Sequence, residues 1–329
     1  MNSFKKNPLV VHILIALSAI FLIASGSAAQ TWPSKPVRVI VSFPPGGVAD
    51  QIARAVAVPL QEALGQPVVV ESRAGAGGNI GADAVAKSAP DGYTLLMSSG
   101  GTVSINPHIY AKMPFDPTKD IVPVAAAARV LVFLEINPAK VPVNNVQEFL
   151  AYLKANPGKL SFGTPGSGSS PHLAAEMMKA QSGTFATHIP YRGAAPAMTD
   201  LLAGQIDFTF DPGIGFQHVR SGRLKMLAVG SPKRSPLFPD IPTLDEAGLK
   251  GFDADSVFGF YAPAGTPPDV IARLNREINR ILNTQAVKDR IIALGGDILP
   301  ITPQEFGAKA AADSQRFGAL IKERNIRGD

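Results

Sequence analysis

The segment Leu160-Ser-Phe-Gly-Thr-Pro-Gly-Ser-Gly-Ser-Ser-Pro-His-Leu173 constrains this chain more than any other. A short apolar run, Leu160 to Phe162, enters it, and a helical pattern from Pro171 to Ala180 leaves it. Between them stand three glycines and four hydroxyl-bearing residues, with Pro165 the one apolar side chain. A strand, a Gly/Ser loop and a helix N-terminus in succession aim unpaired backbone N–H groups at an anion. Ser170 suits the N-cap and Pro171 the first helical position. Taken alone, the same letters also spell a tight turn capped by Ser170, because Gly and Ser are ordinary turn residues. An earlier stretch repeats the layout and favours the anion reading. Val37-Arg-Val-Ile-Val-Ser-Phe43 runs into Pro44-Pro-Gly-Gly-Val-Ala-Asp50. A helix follows with Ile52, Val56, Leu60 and Leu64 on one face and Gly65 as its stop.

Strand and helix patterns alternate through the rest of the chain, which predicts an α/β fold with mixed, mostly parallel sheets. Val124–Ile136 and Ser256–Ala262 read as two strands that cross between lobes. The expected division is residues 30–130 plus 256–329 in one lobe, completed by the C-terminal helices, and 131–255 in the other. Ligands of open α/β sheets bind at the carboxyl ends of strands, so both Gly-rich loops would face the cleft between the lobes. Ala74-Gly-Ala-Gly-Gly-Asn-Ile-Gly81 resembles a dinucleotide fingerprint until Ile80 stands where glycine is required. It is better read as close backbone packing or cleft wall.

The first 29 residues are a separate matter. Lys5 and Lys6 precede an apolar run from Leu9 to Ala24, and Ser25-Gly-Ser-Ala-Ala29 follows. This is the order of a cleavable secretory signal, cut near Ala29-Gln30. The run is shorter than the ~20 residues of a membrane anchor. The exported chain is then periplasmic and not membrane-inserted. It has no cysteine, so neither disulfides nor a lipidated cysteine contribute. Two of the 31 basic residues fall in that segment, leaving 29 against 26 acidic, a net +3. The basic residues are scattered without interleaved aromatics, which excludes a nucleic-acid surface. A weak positive field favours small anions.

Two helix-N-terminal loops facing one cleft suit a ligand with an acid group at each end, held by N–H donors, dipoles, hydroxyls and water. Asp50 reads as a capping carboxylate more than a ligand contact. Arg192 reads equally as a cation for a carboxylate or a solvated loop residue. Asp211, at a strand end, could accept from a ligand hydroxyl or amine. Ser169 or Ser170 with His172 sketches a serine hydrolase, but adjacency does not make a triad. G-x-S-x-G and H-E-x-x-H are both missing from the sequence, and it has only five histidines, so no catalytic residue, metal or cofactor is expected.

Seven stretches in order carry a family resemblance: Trp32–Arg38, Phe43–Asp50, Val70–Gly78, Pro90–Leu95, Gly163–Leu173, Pro190–Gly193 and Phe258–Pro263. Together they resemble the Bug family, the extracytoplasmic solute receptors of tripartite tricarboxylate transporters. The resemblance implies a type II periplasmic-binding-protein fold that closes like a hinged trap. It also implies a monomer that passes a small organic anion to a two-component membrane permease. The implied contacts are Phe43, Pro44, Pro45, Gly46, Gly47 and Asp50 in the first loop, and Thr164, Gly166, Ser167, Gly168, Ser169 and Ser170 in the second. Ser99, Gly100, Thr102, Tyr191, Arg192, Gly193 and Asp211 complete them. Val48-Ala49 departs from relatives that carry a hydroxyl or proline there, which bears on ligand identity. A receptor that signals to a membrane sensor would have the same sequence features.

Overall fold

Val37–Val41 (β1) is apolar at four of its five positions because both faces of its sheet are covered; Val37, Val39, Ile40 and Val41 are all buried. The structure, a computed structural model, describes residues 32–324, 326 and 327. The signal segment expected over residues 1–29 lies outside the described residues. The described residues from Lys35 onward form one compact unit.

β1 pairs in parallel with Val68–Ser72 (β2) on one side and Thr94–Ser99 (β3) on the other. Ile121–Val130 (β4), Ser256–Pro263 (β10) and Gly296–Ile298 (β11) complete a six-stranded sheet in the order β11-β4-β10-β3-β1-β2. A second sheet holds Phe133–Ile136 (β5), Ser161–Thr164 (β6), Thr187–Pro190 (β7), Phe208–Asp211 (β8) and Lys225–Val229 (β9), in the order β7-β6-β8-β5-β9. The sheets are mixed, as expected. The parallel pairings are confined to β2-β1-β3 and to β7-β6-β8. Antiparallel pairings are the more numerous, because β10, β4 and β11 extend one sheet and β5 and β9 the other in that sense.

The first expected crossing is present: β4 ends at Val130, β5 starts at Phe133, and the buried pair Leu131-Val132 passes between the sheets. The second is displaced. β10 lies wholly in the six-stranded sheet, paired along its length with β4, and the passage runs through the coil before it. Gly230 N–H donates to Val132 O at 2.7 Å, and Ala254 N–H to Gly230 O at 2.8 Å, so the two passages lie side by side. Asp255 joins them further, accepting from Ser231 Oγ at 2.8 Å and pairing with Arg129 at 3.5 Å.

The last helix, Pro303–Arg324, does more than complete one lobe. Its Phe306 packs with Ile40, Leu96 and Tyr261 of the six-stranded sheet. Gly259 makes room for that ring, since a Cβ there would stand 2.6 Å from Phe306 Cε1 and 2.8 Å from Ala125 O. Three turns on, Phe317 and Ile321 join the core of the five-stranded sheet with Leu173, Phe208 and Phe252. Ile105 and Ile109, which follow β3, enter the same core.

Candidate ligand site

Three helices start around one cavity. The Val48–Leu64 helix follows N-cap Gly47, the Ser170–Ser182 helix follows N-cap Ser169, and the Ala194–Ala203 helix follows N-cap Gly193. Gly47, Val48, Ala49, Ser169, Ser170, Gly193, Ala194 and Ala195 all line a cavity of about 70 Å³. The first N–H groups of a helix have no intrahelical partner, and the dipole end beside them is positive. Phe43, Pro44, Pro45, Ser99, Phe258 and Pro212 supply other walls. The space is far smaller than the roughly 300–1,000 Å³ of drug-sized pockets, so it suits a small ligand. No lysine, arginine or acidic residue is among its lining residues. An adjoining space, sharing Phe43, Pro44, Pro165 and Gly193, is lined by Gly166, Ser167, Tyr191, Arg192 and Ala74–Gly78. The Ala74–Gly78 run is therefore cleft wall.

Of the residues expected from sequence, Phe43, Pro44, Pro45, Gly47, Ser99, Ser169, Ser170 and Gly193 meet at the cavity. Gly166, Ser167, Tyr191 and Arg192 line the adjoining space. The others are placed differently. Asp50 Oδ2 accepts from Gly46 N–H at 3.0 Å while Arg54 pairs with it at 2.9 Å. Both Asp50 and the Gly46 N–H are thereby spent on the helix start, as the capping reading of Asp50 expects. Thr164 is buried, with Oγ1 at 2.6 Å from His188 Nε2. Thr102 Oγ1 donates to Gly77 O at 3.1 Å. Gly168 N–H donates to His172 Nδ1 at 3.2 Å. Gly100 lines a small recess that shares Ser170 with the cavity and is also lined by Ser104, Asp255 and Ser256. Asp211 Oδ2 accepts from Gly213 N–H at 2.9 Å and Gly215 N–H at 2.8 Å. That carboxyl holds its own loop, and with it the cavity wall at Pro212, leaving it engaged where a ligand hydroxyl or amine was expected. Burial pushes it up to about 6 in spite of those donors.

The N-cap expected at Ser170 is Ser169, whose Oγ accepts from His172 N–H at 3.4 Å. Ser169 Oγ also donates to Gly166 O at 2.7 Å. The shift frees Ser170 for the cavity. Ser169→Ala should cost about 0.5–2 kcal/mol and lower the melting temperature. Ser170→Ala should leave it nearly unchanged; the reverse order would return the cap to Ser170. His172 is buried, stacked on His188 with ring centroids 3.9 Å apart, and burial pushes its imidazole down to about 3. Its Nδ1 faces Gly168 and its Nε2 lies 3.9 Å from Glu176, so it is a packed neutral ring turned toward the loop and helix.

The sequence reads a short strand, then a loop and helix from Arg192 to a stop at Gly204, as found, but Ala194, Ala195 and Pro196 at that helix start were not among the expected contacts. Their signal was available: β7 followed by Gly193 and a helix repeats the layout of the first two loops.

The sequence pattern of the tripartite tricarboxylate transporter family receptor matches residues 52–326. The chain belongs to this family. It is 40% identical to Protein BugT of Bordetella pertussis over 94% of this chain and 97% of that one. Among solved structures it is similar to an R. palustris protein with adipate, at 33% identity and TM-score 0.86, covering 90% of this chain and 99% of that one. It is also similar to MatC from Rhodopseudomonas palustris with bound malate, at 30% identity and TM-score 0.82, covering 88% and 100%. The tripartite tricarboxylate transporter receptors are solute-binding proteins and not enzymes, which removes the hydrolase alternative at Ser169, Ser170 and His172. The two-sheet fold is consistent with these solved relatives.

Proposed function

We propose that this chain is a periplasmic receptor that captures a small organic acid, a carboxylate or dicarboxylate, between its two sheets and delivers it to a two-component membrane permease. The observation that carries the reading is the convergence of three helix N-termini on one small cavity with no acidic lining residue. Directed N–H groups and positive dipole ends compensate a carboxylate there without a buried lysine or arginine. The adipate and malate in the two related structures support the same chemistry. Residues 30–130 with 256–329 form one lobe in this reading and 131–255 the other, and the receptor acts as a monomer. The paired passages at Leu131-Val132 and Gly230–Asp255 serve as its hinge. Among the described residues no helix is long and apolar enough to cross a membrane.

Thermal-shift screening against C4–C8 dicarboxylates, citrate, acidic amino acids and aromatic acids tests the reading. A ligand at 100 times its dissociation constant should add ~2.7 kcal/mol of stability. No shift with any organic anion would overturn it.

A further inference from the structure

The cavity's walls carry information about the body of the ligand as well as its acid group. Six of the lining residues are prolines, which have no N–H to offer, and Phe43, Phe258, Val48 and three alanines make up most of the rest. The only lining side chains with polar atoms are Ser99, Ser169 and Ser170, and the Ser169 hydroxyl is occupied by Gly166 O and His172 N–H. Two side-chain hydroxyls and the three helix starts therefore form nearly the whole polar complement.

We propose that the ligand is an unsubstituted acid, whose body between or beyond its carboxylates is bare hydrocarbon, and that hydroxy and amino acids of the same length are discriminated against. This rests on reading the cavity as the carboxylate site. An ammonium group needs an anionic partner when it leaves water. The lining residues of the cavity and of the adjoining space include no aspartate or glutamate. The two acids nearest in sequence to the lining are already engaged. Asp50 is held by Arg54 and Gly46, and Asp211 by Gly213 and Gly215. A hydroxyl on the ligand has only Ser99 and Ser170 as free side-chain partners in the cavity, and against the apolar walls elsewhere it loses its water without replacement. Helix starts, by contrast, are donors only, and a carboxylate uses donors only. The cavity is thus better matched to acid groups than to other polar groups on the ligand.

Calorimetry on the purified chain with three matched series tests this: succinate, malate and aspartate; glutarate, 2-hydroxyglutarate and glutamate; phenylacetate, mandelate and phenylglycine. In whichever series binds, the unsubstituted parent should be tightest. The hydroxy acid should be weaker by about 10- to 100-fold, and the amino acid weaker still. A hydroxy or amino acid that binds as tightly as its parent would overturn the proposal while leaving the carboxylate receptor standing. Failure of all nine to bind, together with no shift in the wider screen, would overturn both.

Discussion

Gly168→Ala should weaken ligand binding by ~5- to 150-fold, the equivalent of about 1–3 kcal/mol. Gly168 follows β6 of the five-stranded sheet and has φ of +80°. A Cβ there would overlap Ile109 Cδ1 and stand 2.5 Å from Asn106 Oδ1, both on the segment after β3 of the other sheet. Neither neighbour is free to withdraw. Ile109 is part of the apolar core, and Asn106 Nδ2 is held by Gly77 O at 3.0 Å and Asn79 Oδ1 at 2.8 Å. The methyl group acts as a wedge between this segment and the loop that carries Ser169 and Ser170, and so displaces one of the helix starts at the cavity. Gly183→Ala is the control, with φ of +62° and nothing within 4 Å of the added Cβ. It pays a left-handed backbone cost of about 1–2 kcal/mol in stability with ligand affinity unchanged. Calorimetric titration of both variants checks this. Undiminished affinity in Gly168→Ala would show that the helix start at Ser169 and Ser170 keeps its place.

Glu135→Gln should narrow the difference in melting temperature between pH 5 and pH 8. Glu135 is fully buried on β5, and neither carboxyl oxygen has a hydrogen-bond partner among the described residues. Burial, and then the neighbouring Asp211, raise its carboxyl well above the ordinary range. Burial also raises Asp211 to about 6 and Asp255 to about 7. A raised carboxyl holds its proton in the folded chain while the unfolded chain releases it from about pH 4 upward. The stability it contributes is full below that point and is lost as pH rises through the folded value. For Asp211 and Asp255 the loss spans about pH 4 to 7, and for Glu135 it likewise begins at about pH 4 and runs upward. His172, pushed down to about 3, has the opposite sign: its contribution is full above pH 6.5 and is lost as pH falls. With three carboxyls against one histidine, stability should fall from pH 5 toward pH 8. Glutamine keeps the shape of the protonated acid and removes its titration, so the variant should gain on the wild type at pH 8, at roughly 2–4 °C per kcal/mol. An unchanged gap would mean that Glu135 does not titrate differently in the two states.

What could be read in advance was what is written locally. The β-branched run of β1, the four-residue spacing of Ile52, Val56, Leu60 and Leu64, and the glycine stop at Gly65 each depend on a few consecutive residues. The αL conformation of Gly65, with its N–H on Gln61 O, is what such a stop requires. The cap at Ser169 was not separable from one at Ser170, because two adjacent serines before a proline satisfy the same rule. The fate of Asp211 depended on whether its loop turned back to offer Gly213 and Gly215, which spacing does not state. The strand and helix around Ala194 were legible, but their place at the cavity was not, because two alanines and a proline carry no side-chain group that marks a ligand contact. The place of β10 was a matter of neighbours. An all-buried strand fits a crossing or a sheet centre equally well, and only its pairing with β3 and β4 decides.

The helix that carries Phe306 on one sheet and Phe317 and Ile321 in the core of the other sets an order on assembly. A chain that emerges from a ribosome or a membrane channel N-terminus first will have all five strands of the second sheet before residue 230, yet that sheet's core waits almost a hundred residues for its last side chains. Until the final helix arrives, the middle of the protein has an apolar face uncovered. The core of the five-stranded sheet is therefore finished by a helix that begins more than seventy residues after its last strand ends.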